Sequence, residues 1–130
     1  MIRKAIKKDI KAIYALLQEG VFSGKVLKRS VSELNKVIDN FFVYEQEGEV
    51  IGCCSLEIYS QKIAEIRSLV VTFKYRNKGI GTSLVQYCLN EAKRKNIYQV
   101  LSVTDKCDLF GKLGFKTEMD EKQVMFMNLN

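Results

Sequence analysis

Apolar residues recur along the chain with two different periods, which predict an alternation of helices and strands. A helical spacing begins at Asp9 and is expected to end at Gly20. A loop is expected to follow, and Ser30 or Ser32 can cap a second helix over residues 32–38. A third and longer helix is predicted over residues 79–95, with an inner face that comprises Leu84, Val85, Cys88, Leu89 and Ala92.

Runs of β-branched and aromatic residues predict strands before, between and after these helices. The predicted strands lie over residues 1–5, 41–45, 50–59, 63–71, 99–103, 115–117 and 124–129. A short helix over residues 108–113, closed by Gly114, precedes the last two strands. Because no repeat or linker interrupts this order, the sequence predicts a single domain of the α+β class over residues 1–130.

The most informative motif lies between the strand over residues 63–71 and the third helix, where the sequence reads Tyr-Arg-Asn-Lys-Gly-Ile-Gly-Thr. Gly79 and Gly81 lack a Cβ, so the backbone can bend sharply and an anion can approach it closely. The first N–H groups of the following helix have no intrahelical partner, and the helix dipole adds positive charge there. Arg76 and Lys78 add two formal charges. The motif predicts a phosphate-binding loop, although a plain turn that caps a helix would use the same residues.

Two common nucleotide-binding patterns do not fit this loop. The Walker pattern requires Gly, four residues and then Gly-Lys-Ser/Thr, and the dinucleotide pattern requires a third Gly where this chain has Leu84. What remains, Arg-x-x-Gly-x-Gly after an apolar strand, resembles the acetyl-CoA signature of the GNAT acyltransferase superfamily. The Leu-Gly-Phe step at residues 113–115 is also similar to that family, and the resemblance covers residues 1–129. It implies an α/β/α fold whose mixed, mostly antiparallel central sheet has helices on both faces, with acetyl-CoA as co-substrate and no metal.

The resemblance also implies which residues bind acetyl-CoA. Pantetheine is expected to pair with the backbone of Leu69, Val70 and Val71 like an added strand. The N–H group of Leu69 or Val70 is expected to polarise the thioester carbonyl and to stabilise the oxyanion of the tetrahedral intermediate. The residues expected around the diphosphate are Arg76, Asn77, Lys78, Gly79, Ile80, Gly81, Thr82 and Ser83.

The chain has no histidine, so any proton transfer must use another group. Glu65 matches the position at which many GNAT members carry their general base, and a charged residue inside an apolar strand needs a reason. The alternative is an ion pair with Arg67, which lies two residues along on the same strand face. Phe110 stands where the family often has a Tyr that protonates the CoA thiolate, so that proton donor is missing here.

Within the superfamily, residues 64–69 and the sequence Leu-Lys-Arg-Ser at 27–30 look like the N-acetylglutamate synthase type. The implied reaction is direct transfer, within a ternary complex, of acetyl to the amine of a small acidic amino acid such as L-glutamate. Arg29 and Arg67 are the candidates for binding its carboxylates, with Lys28 as a lesser one, because Arg offers a bidentate fork. A solvated Lys28–Arg29 pair is the structural alternative. The functional alternatives are an acetyltransferase for another amine, such as a protein N-terminus or a polyamine, and a non-catalytic CoA-binding or sensing module.

Composition narrows the remaining possibilities. A chain of 130 residues, 47% hydrophobic and 28% charged, fits one globular domain. No apolar stretch approaches the ~20 residues of a membrane span, and the charged N-terminus lacks a signal core, so we expect a cytoplasmic protein without a membrane partner. The net charge of +6 is spread along the chain without an aromatic stacking platform, which argues against nucleic acid. The four cysteines lack metal-ligand spacing and are expected to be reduced. A homodimer is compatible with the sequence.

Overall fold

The computed structural model describes residues 1–22 and 28–129. Its helices are α1 (Ile10–Phe22), α2 (Val31–Val37), α3 (Ile80–Arg94) and α4 (Cys107–Lys112). Its strands are β1 (Ile2–Lys4), β2 (Phe41–Gln46), β3 (Glu49–Ile58), β4 (Ile63–Val71), β5 (Gln99–Leu101), β6 (Glu118–Met119) and β7 (Lys122–Gln123). Short 3₁₀ turns lie at Lys7–Asp9, Ile38–Asn40 and Phe73–Tyr75.

Five strands form the central sheet in the order β1-β2-β3-β4-β5. The pairs β1–β2, β2–β3 and β3–β4 are antiparallel. Strand β5 lies parallel to β4, because α3 carries the chain back across the sheet between them. The predicted mixed, mostly antiparallel sheet is therefore confirmed.

The side chains of the central strands alternate between two apolar cores, one on each face of the sheet. Phe41 and Cys53 are buried with α1 and α2, whereas Phe42 and Cys54 are buried with α3 and α4. The helices contribute mainly Ile13, Leu17, Leu34, Leu84, Val85, Cys88 and Phe110 to these cores. Adjacent residues on one strand thus hold helices on both faces of the sheet, as the sequence predicts.

The N-terminal helices differ slightly from expectation. Helix α1 continues to Phe22, so the prediction that Gly20 ends it is wrong. Gly20 is buried inside the helix, and packing there overrides its low helix propensity, which amounts to about 1 kcal/mol. Ser30 rather than Ser32 caps α2, because its hydroxyl accepts a hydrogen bond from the Glu33 N–H at 3.1 Å. Part of the loop predicted before α2, residues 23–27, lies outside the described residues.

The C-terminal segment departs most from the prediction. The expected strands over residues 115–117 and 124–129 are wrong, since the strands that form are the two-residue β6 and β7. Asp120 and Glu121 take left-handed φ angles of 52° and 61° in the turn between them. The apolar side chains after this hairpin are exposed, with Phe126 at 74%. A β-rich sequence forms a strand only where a ladder partner and a packing surface meet it.

None of the described helices is both long enough and apolar enough to span a membrane.

The α3 core gives a direct test of the fold. Leu84 is fully buried, whereas Gln86 on the same helix is exposed. We expect Leu84→Ala to lower the free energy of unfolding by about 2–5 kcal/mol, because it removes apolar contacts and leaves a cavity. Gln86→Ala should change it by less than about 0.5 kcal/mol. Urea denaturation of both variants measures the difference, and equal stabilities would contradict the placement of α3.

Candidate acetyl-CoA and acceptor site

The pairing between β4 and β5 ends a third of the way along β4. The register joins Ile63 to Gln99, Ala64 to Val100 and Glu65 to Leu101, and goes no further. One side-chain contact follows, in which the Ser102 hydroxyl donates to the Ile66 carbonyl oxygen at 3.0 Å. From there to Val71, no strand among the described residues pairs with the edge of β4 that would face β5. Such an edge is the kind to which an extended ligand can add as a strand.

A β-bulge lies on the part of β4 that does not pair with β5. Val70 pairs with Cys53 and Arg67 pairs with Ser55, so Ser68 and Leu69 together face the single residue Cys54. Ser68 takes a left-handed φ of 56°, which is uncommon for a residue with a Cβ. A bulge re-aims the backbone groups next to it. Here it falls at the N–H groups that were expected to polarise the thioester.

Two side chains of β3 support this bulge. The Cys53 thiol donates to the Ser68 carbonyl oxygen at 3.4 Å, and the Ser55 hydroxyl donates to the Arg67 carbonyl oxygen at 3.1 Å. The side chains of the three pantetheine candidates, Leu69, Val70 and Val71, are buried in the cores at 9%, 3% and 8% exposure. Only their backbone is left to meet a ligand, and this agrees with the kind of contact expected of them.

The glycine-rich loop adopts the backbone shape that its sequence requires. Asn77 and Gly79 take left-handed φ angles of 62° and 81°, and Gly79 is the N-cap of α3. A Cβ on Gly81 would lie 3.4 Å from Leu109 Cδ1, so α4 packs closely against this end of α3. The first N–H groups of α3 are available to an anion.

The polar side chains of the loop point to several places. Thr82, Asn77 and Lys78 are exposed, and the Lys78 ammonium lies 5.6 Å from the centre of the Tyr75 ring. The Ser83 hydroxyl donates to the Gly79 carbonyl oxygen at 3.0 Å, while Ile80 is buried. The backbone of residues 76–83 forms one continuous turn into α3, and its proposed contact with diphosphate stays a prediction.

Arg76 is exposed, but two hydrogen bonds hold its guanidinium in place. Its Nε donates to the Val71 carbonyl oxygen at 2.8 Å, and its Nη2 donates to Glu19 at 3.1 Å. Glu19 comes from α1 and was not expected at this site. No pattern around Glu19 in the sequence points to it, because its partners lie more than fifty residues along the chain.

A buried carboxylate joins the two arginines that were expected to bind the acceptor. Glu57 accepts from Arg29 Nη2 and from Arg67 Nη1, both at 2.8 Å. Arg29 also donates to the Ser68 hydroxyl at 3.1 Å and to Glu33 at 3.3 Å. Arg29 is 5% exposed, so the alternative of a solvated Lys28–Arg29 pair is wrong for Arg29, whereas Lys28 is exposed.

The environment of Glu57 favours its charged form. Burial by itself raises the pKa of the carboxyl, but the hydrogen bonds from Arg29 and Arg67 outweigh it, and the pKa is lowered below its ordinary value. The reasoning that singled out Glu65, a charged residue inside an apolar strand, applies equally to Glu57. It is the sequence signal that could have found this residue.

Glu65 lies directly across from Glu57 in the β3–β4 register. Tyr59 donates its phenol proton to Glu65 Oε1 at 2.6 Å. This hydrogen bond, together with burial, raises the pKa of Tyr59 to about 12, so Tyr59 keeps its proton at neutral pH. Arg67 forms its ion pair with Glu57 instead of Glu65, and the alternative of a Glu65–Arg67 ion pair is therefore wrong.

Phe110 is 4% exposed and packs edge-on against Phe115, with ring centres 5.0 Å apart. The position that often carries a catalytic Tyr in GNAT proteins is thus part of the core here. Within residues 1–22 and 28–129, no group of three or more His, Cys, Asp or Glu side chains is placed to hold a metal ion.

The Glu57 bridge gives a stability prediction. Glu57→Gln should lower the free energy of unfolding by about 3–5 kcal/mol at pH 7, because the buried Arg29 loses the buried one of its two charged partners. Glu33→Gln is the matched control: Glu33 also contacts Arg29 but its side chain is 54% exposed, so less than about 1 kcal/mol is expected.

The loss of stability caused by Glu57→Gln should depend on pH. Because folding lowers the pKa of Glu57, its contribution is present above the unfolded pKa, about 4.3, and is lost as the pH falls through the lower folded value. The stability difference between the original chain and Glu57→Gln should therefore shrink below that pH. Denaturation curves from pH 7 to pH 3 measure it, and a difference that stays constant would rule out a charged Glu57.

Comparisons with known proteins agree with this geometry. Residues 38–117 match the family model of the acetyltransferase (GNAT) domain. An uncharacterized N-acetyltransferase of Chlorobaculum tepidum is 37% identical over 115 residues, which cover 88% of this chain and 74% of that protein. An amino-acid acetyltransferase of Mycobacterium tuberculosis is 28% identical over 128 residues, which cover 95% of this chain and 72% of that protein.

Two solved structures are similar over nearly the whole chain. A Mycobacterium tuberculosis protein in complex with CoA superposes with a TM-score of 0.87 at 26% identity, covering 96% of this chain and 76% of that one. N-acetylglutamate synthase from Neisseria gonorrhoeae, complexed with coenzyme A and N-acetyl-glutamate, superposes with a TM-score of 0.85 at 28% identity. That alignment covers 94% of this chain but 30% of the synthase. With the family model matched over most of its length, the chain belongs to the GNAT family of acetyltransferases and is an enzyme that uses acetyl-CoA as co-substrate.

Proposed function

We propose that this enzyme acetylates the α-amine of a small acidic amino acid, with L-glutamate as the first choice. The observation that carries the proposal is the cluster at the end of the β4–β5 pairing. There Glu65, which can accept a proton, and Arg67, which can bind a carboxylate, lie on the strand that runs into the opened edge. The names of the amino-acid acetyltransferase and of the N-acetylglutamate synthase support the same acceptor class.

The acetyl group would lie beside the bulge. Pantetheine pairs with the free edge of β4, and the backbone N–H of Leu69 or Val70 donates to the thioester oxygen. These donors are fixed before the reaction, so they can stabilise the negative charge that develops on that oxygen. The neutral amine nitrogen attacks the carbonyl carbon, and the C–S bond breaks as that nitrogen loses its second proton to water, so that CoA leaves as the thiolate. With phenylalanine at position 110, the thiolate takes its proton from water.

Glu65 would remove the proton from the acceptor ammonium. Leu69 lies four positions further along β4, a distance of at most about 13 Å along a strand at ~3.3 Å per residue. A water molecule between the carboxylate and the amine is therefore part of the proposal, as general base catalysis allows. Tyr59 fixes the carboxylate through its 2.6 Å hydrogen bond and, with a pKa of about 12, stays protonated while it does so.

The two arginines would have different roles in binding the acceptor. Arg67 is 32% exposed, so part of its guanidinium can reach a substrate carboxylate while Nη1 stays on Glu57. Arg29 is buried, and it can contact the acceptor only if its bond to Glu57 opens. Exposed Lys28 is the second cation that a dicarboxylate could use.

Glu57 also favours a second candidate acceptor. Its carboxylate already neutralises part of the charge of both arginines, which leaves less positive charge for a substrate with two carboxylates. An amine with a single carboxylate, such as a neutral amino acid, would suit that balance. Glutamine and glutamate have nearly the same shape and differ by one charge, so they separate the two candidates.

The acceptor assignment is tested by mass analysis of the products. The enzyme is incubated with acetyl-CoA and, separately, L-glutamate, L-aspartate, L-glutamine, spermidine or a peptide with a free N-terminus. Selective formation of acetylglutamate is expected. A preference for glutamine would support the second candidate, and acetylation of spermidine or of the peptide would overturn both.

Glu65 has its own test. Glu65→Gln keeps the shape but cannot accept the proton, so kcat is expected to fall by about 10²–10⁴-fold while the affinity for acetyl-CoA stays unchanged. Glu49→Gln, at an exposed position on β3, is the control and should keep full activity. Undiminished turnover by Glu65→Gln would exclude Glu65 as the base.

The diphosphate loop is tested with Gly81→Glu. The new side chain would place bulk and negative charge at the start of α3, and we expect calorimetry to detect no acetyl-CoA binding. Asn90→Glu adds the same charge to the same helix about two and a half turns further along and should bind normally. Equal affinities of the two variants would refute the assignment of the loop.

A further inference from the structure

Glu19, near the end of α1, lies against the chain as it leaves β4. Its carboxylate accepts three hydrogen bonds there. Oε1 accepts from the Phe73 N–H at 2.7 Å and from Arg76 Nη2 at 3.1 Å, and Oε2 accepts from the Thr72 hydroxyl at 3.1 Å. A single carboxylate thus contacts three positions within five consecutive residues, 72–76, where the chain enters the glycine-rich loop.

Arg76 closes the same turn from its other end. Its Nε donates to the Val71 carbonyl oxygen at 2.8 Å, and its guanidinium carbon lies 5.7 Å from the centre of the Phe73 ring. The guanidinium therefore contacts the end of β4, the 3₁₀ turn Phe73–Tyr75 and α1 together. These contacts account for its position without any ligand.

We propose that Glu19 is a positioning residue for the acetyl-CoA site, and that Arg76 is its partner in a clamp and not a ligand of the diphosphate. The clamp sets the direction in which the chain leaves β4. It thereby places the N-terminus of α3, whose free N–H groups bind the anion. This inference rests on the acetyl-CoA half of the proposed function and is independent of the acceptor.

The two roles of Arg76 predict opposite effects of one substitution. If Arg76 bound the diphosphate, Glu19→Gln would remove a competing negative charge, and CoA would bind as tightly as before or more tightly. If Glu19 holds the loop, the same substitution weakens its grip on Arg76 and on the Phe73 N–H. CoA then binds about tenfold more weakly, the effect of losing one hydrogen bond to a charged group.

The experiment measures the dissociation constants of CoA and of pantetheine, which lacks the diphosphate and the nucleotide, by NMR titration without an acceptor. We expect Glu19→Gln to weaken CoA about tenfold and to leave pantetheine unchanged. A general loss of stability would weaken both ligands. Glu91→Gln removes one negative charge near the other end of α3, where Glu91 pairs with Arg94, and should leave CoA binding unchanged.

Two further variants keep the test decisive if Glu19→Gln folds poorly. Arg76→Lys retains the charge but cannot reach both Val71 and Glu19, so a clamp predicts weak CoA binding and a direct ligand predicts near-normal binding. Thr72→Val removes only one donor and should weaken CoA about two- to threefold. In the original chain the Phe73 amide should exchange slowly with deuterium, and Glu19→Gln should accelerate it.

Normal or tighter CoA binding by Glu19→Gln, or normal binding by Arg76→Lys, would overturn the clamp. Neither result would bear on the amine acceptor, because no acceptor is present in the titration.

Discussion

The parting of β5 from β4 after Glu65 is the constraint on which the rest of the site depends. A sheet interior offers no free backbone, because each N–H and C=O is paired with a neighbour. Here three residues of β5 pair with the first third of β4, and no strand of the described residues pairs with that edge of the remaining two thirds. The part of β4 without a β5 partner still pairs with β3 and is packed on both faces of the sheet. It is therefore held rigidly, while backbone groups on its other edge have no strand partner. Such an edge suits a ligand that binds as an additional strand.

The polar residues around the bulge form one connected network. Arg29, which precedes α2, donates hydrogen bonds to Ser68 at the bulge and to Glu57 on β3. Glu57 also accepts a hydrogen bond from Arg67. A buried ion pair of this kind adds little net stability compared with apolar packing, but removing one member is costly. Its effect here is to hold Ser68, which has a left-handed φ, and the half-buried guanidinium of Arg67 in fixed positions near Glu65.

The cofactor end depends on helix α1 in a comparable way. Glu19 and Arg76 join α1 to the chain that leads from β4 into α3, while Leu109 of α4 packs near Gly81 on the other side. The loop thus lies between two helices that are distant in sequence. Both the unpaired part of β4 and the N-terminus of α3 are placed by contacts from elsewhere in the chain.

The sequence by itself determined the elements whose patterns are local. It predicted the strand at Ile63–Val71, the long helix after it and a sharp backbone bend at Gly79, because apolar periodicity and a missing Cβ act within a few residues. The tertiary structure alone decided what depends on pairing across the fold. The apolar segment over residues 124–129 has the composition of a strand, but it pairs with no other strand of the described residues. Arg67 forms its ion pair with Glu57 on β3 and not with Glu65 on its own strand. Glu19 of α1 forms an ion pair with Arg76. Ion pairs form between charged groups that are close in space, whereas the sequence gives only their separation along the chain.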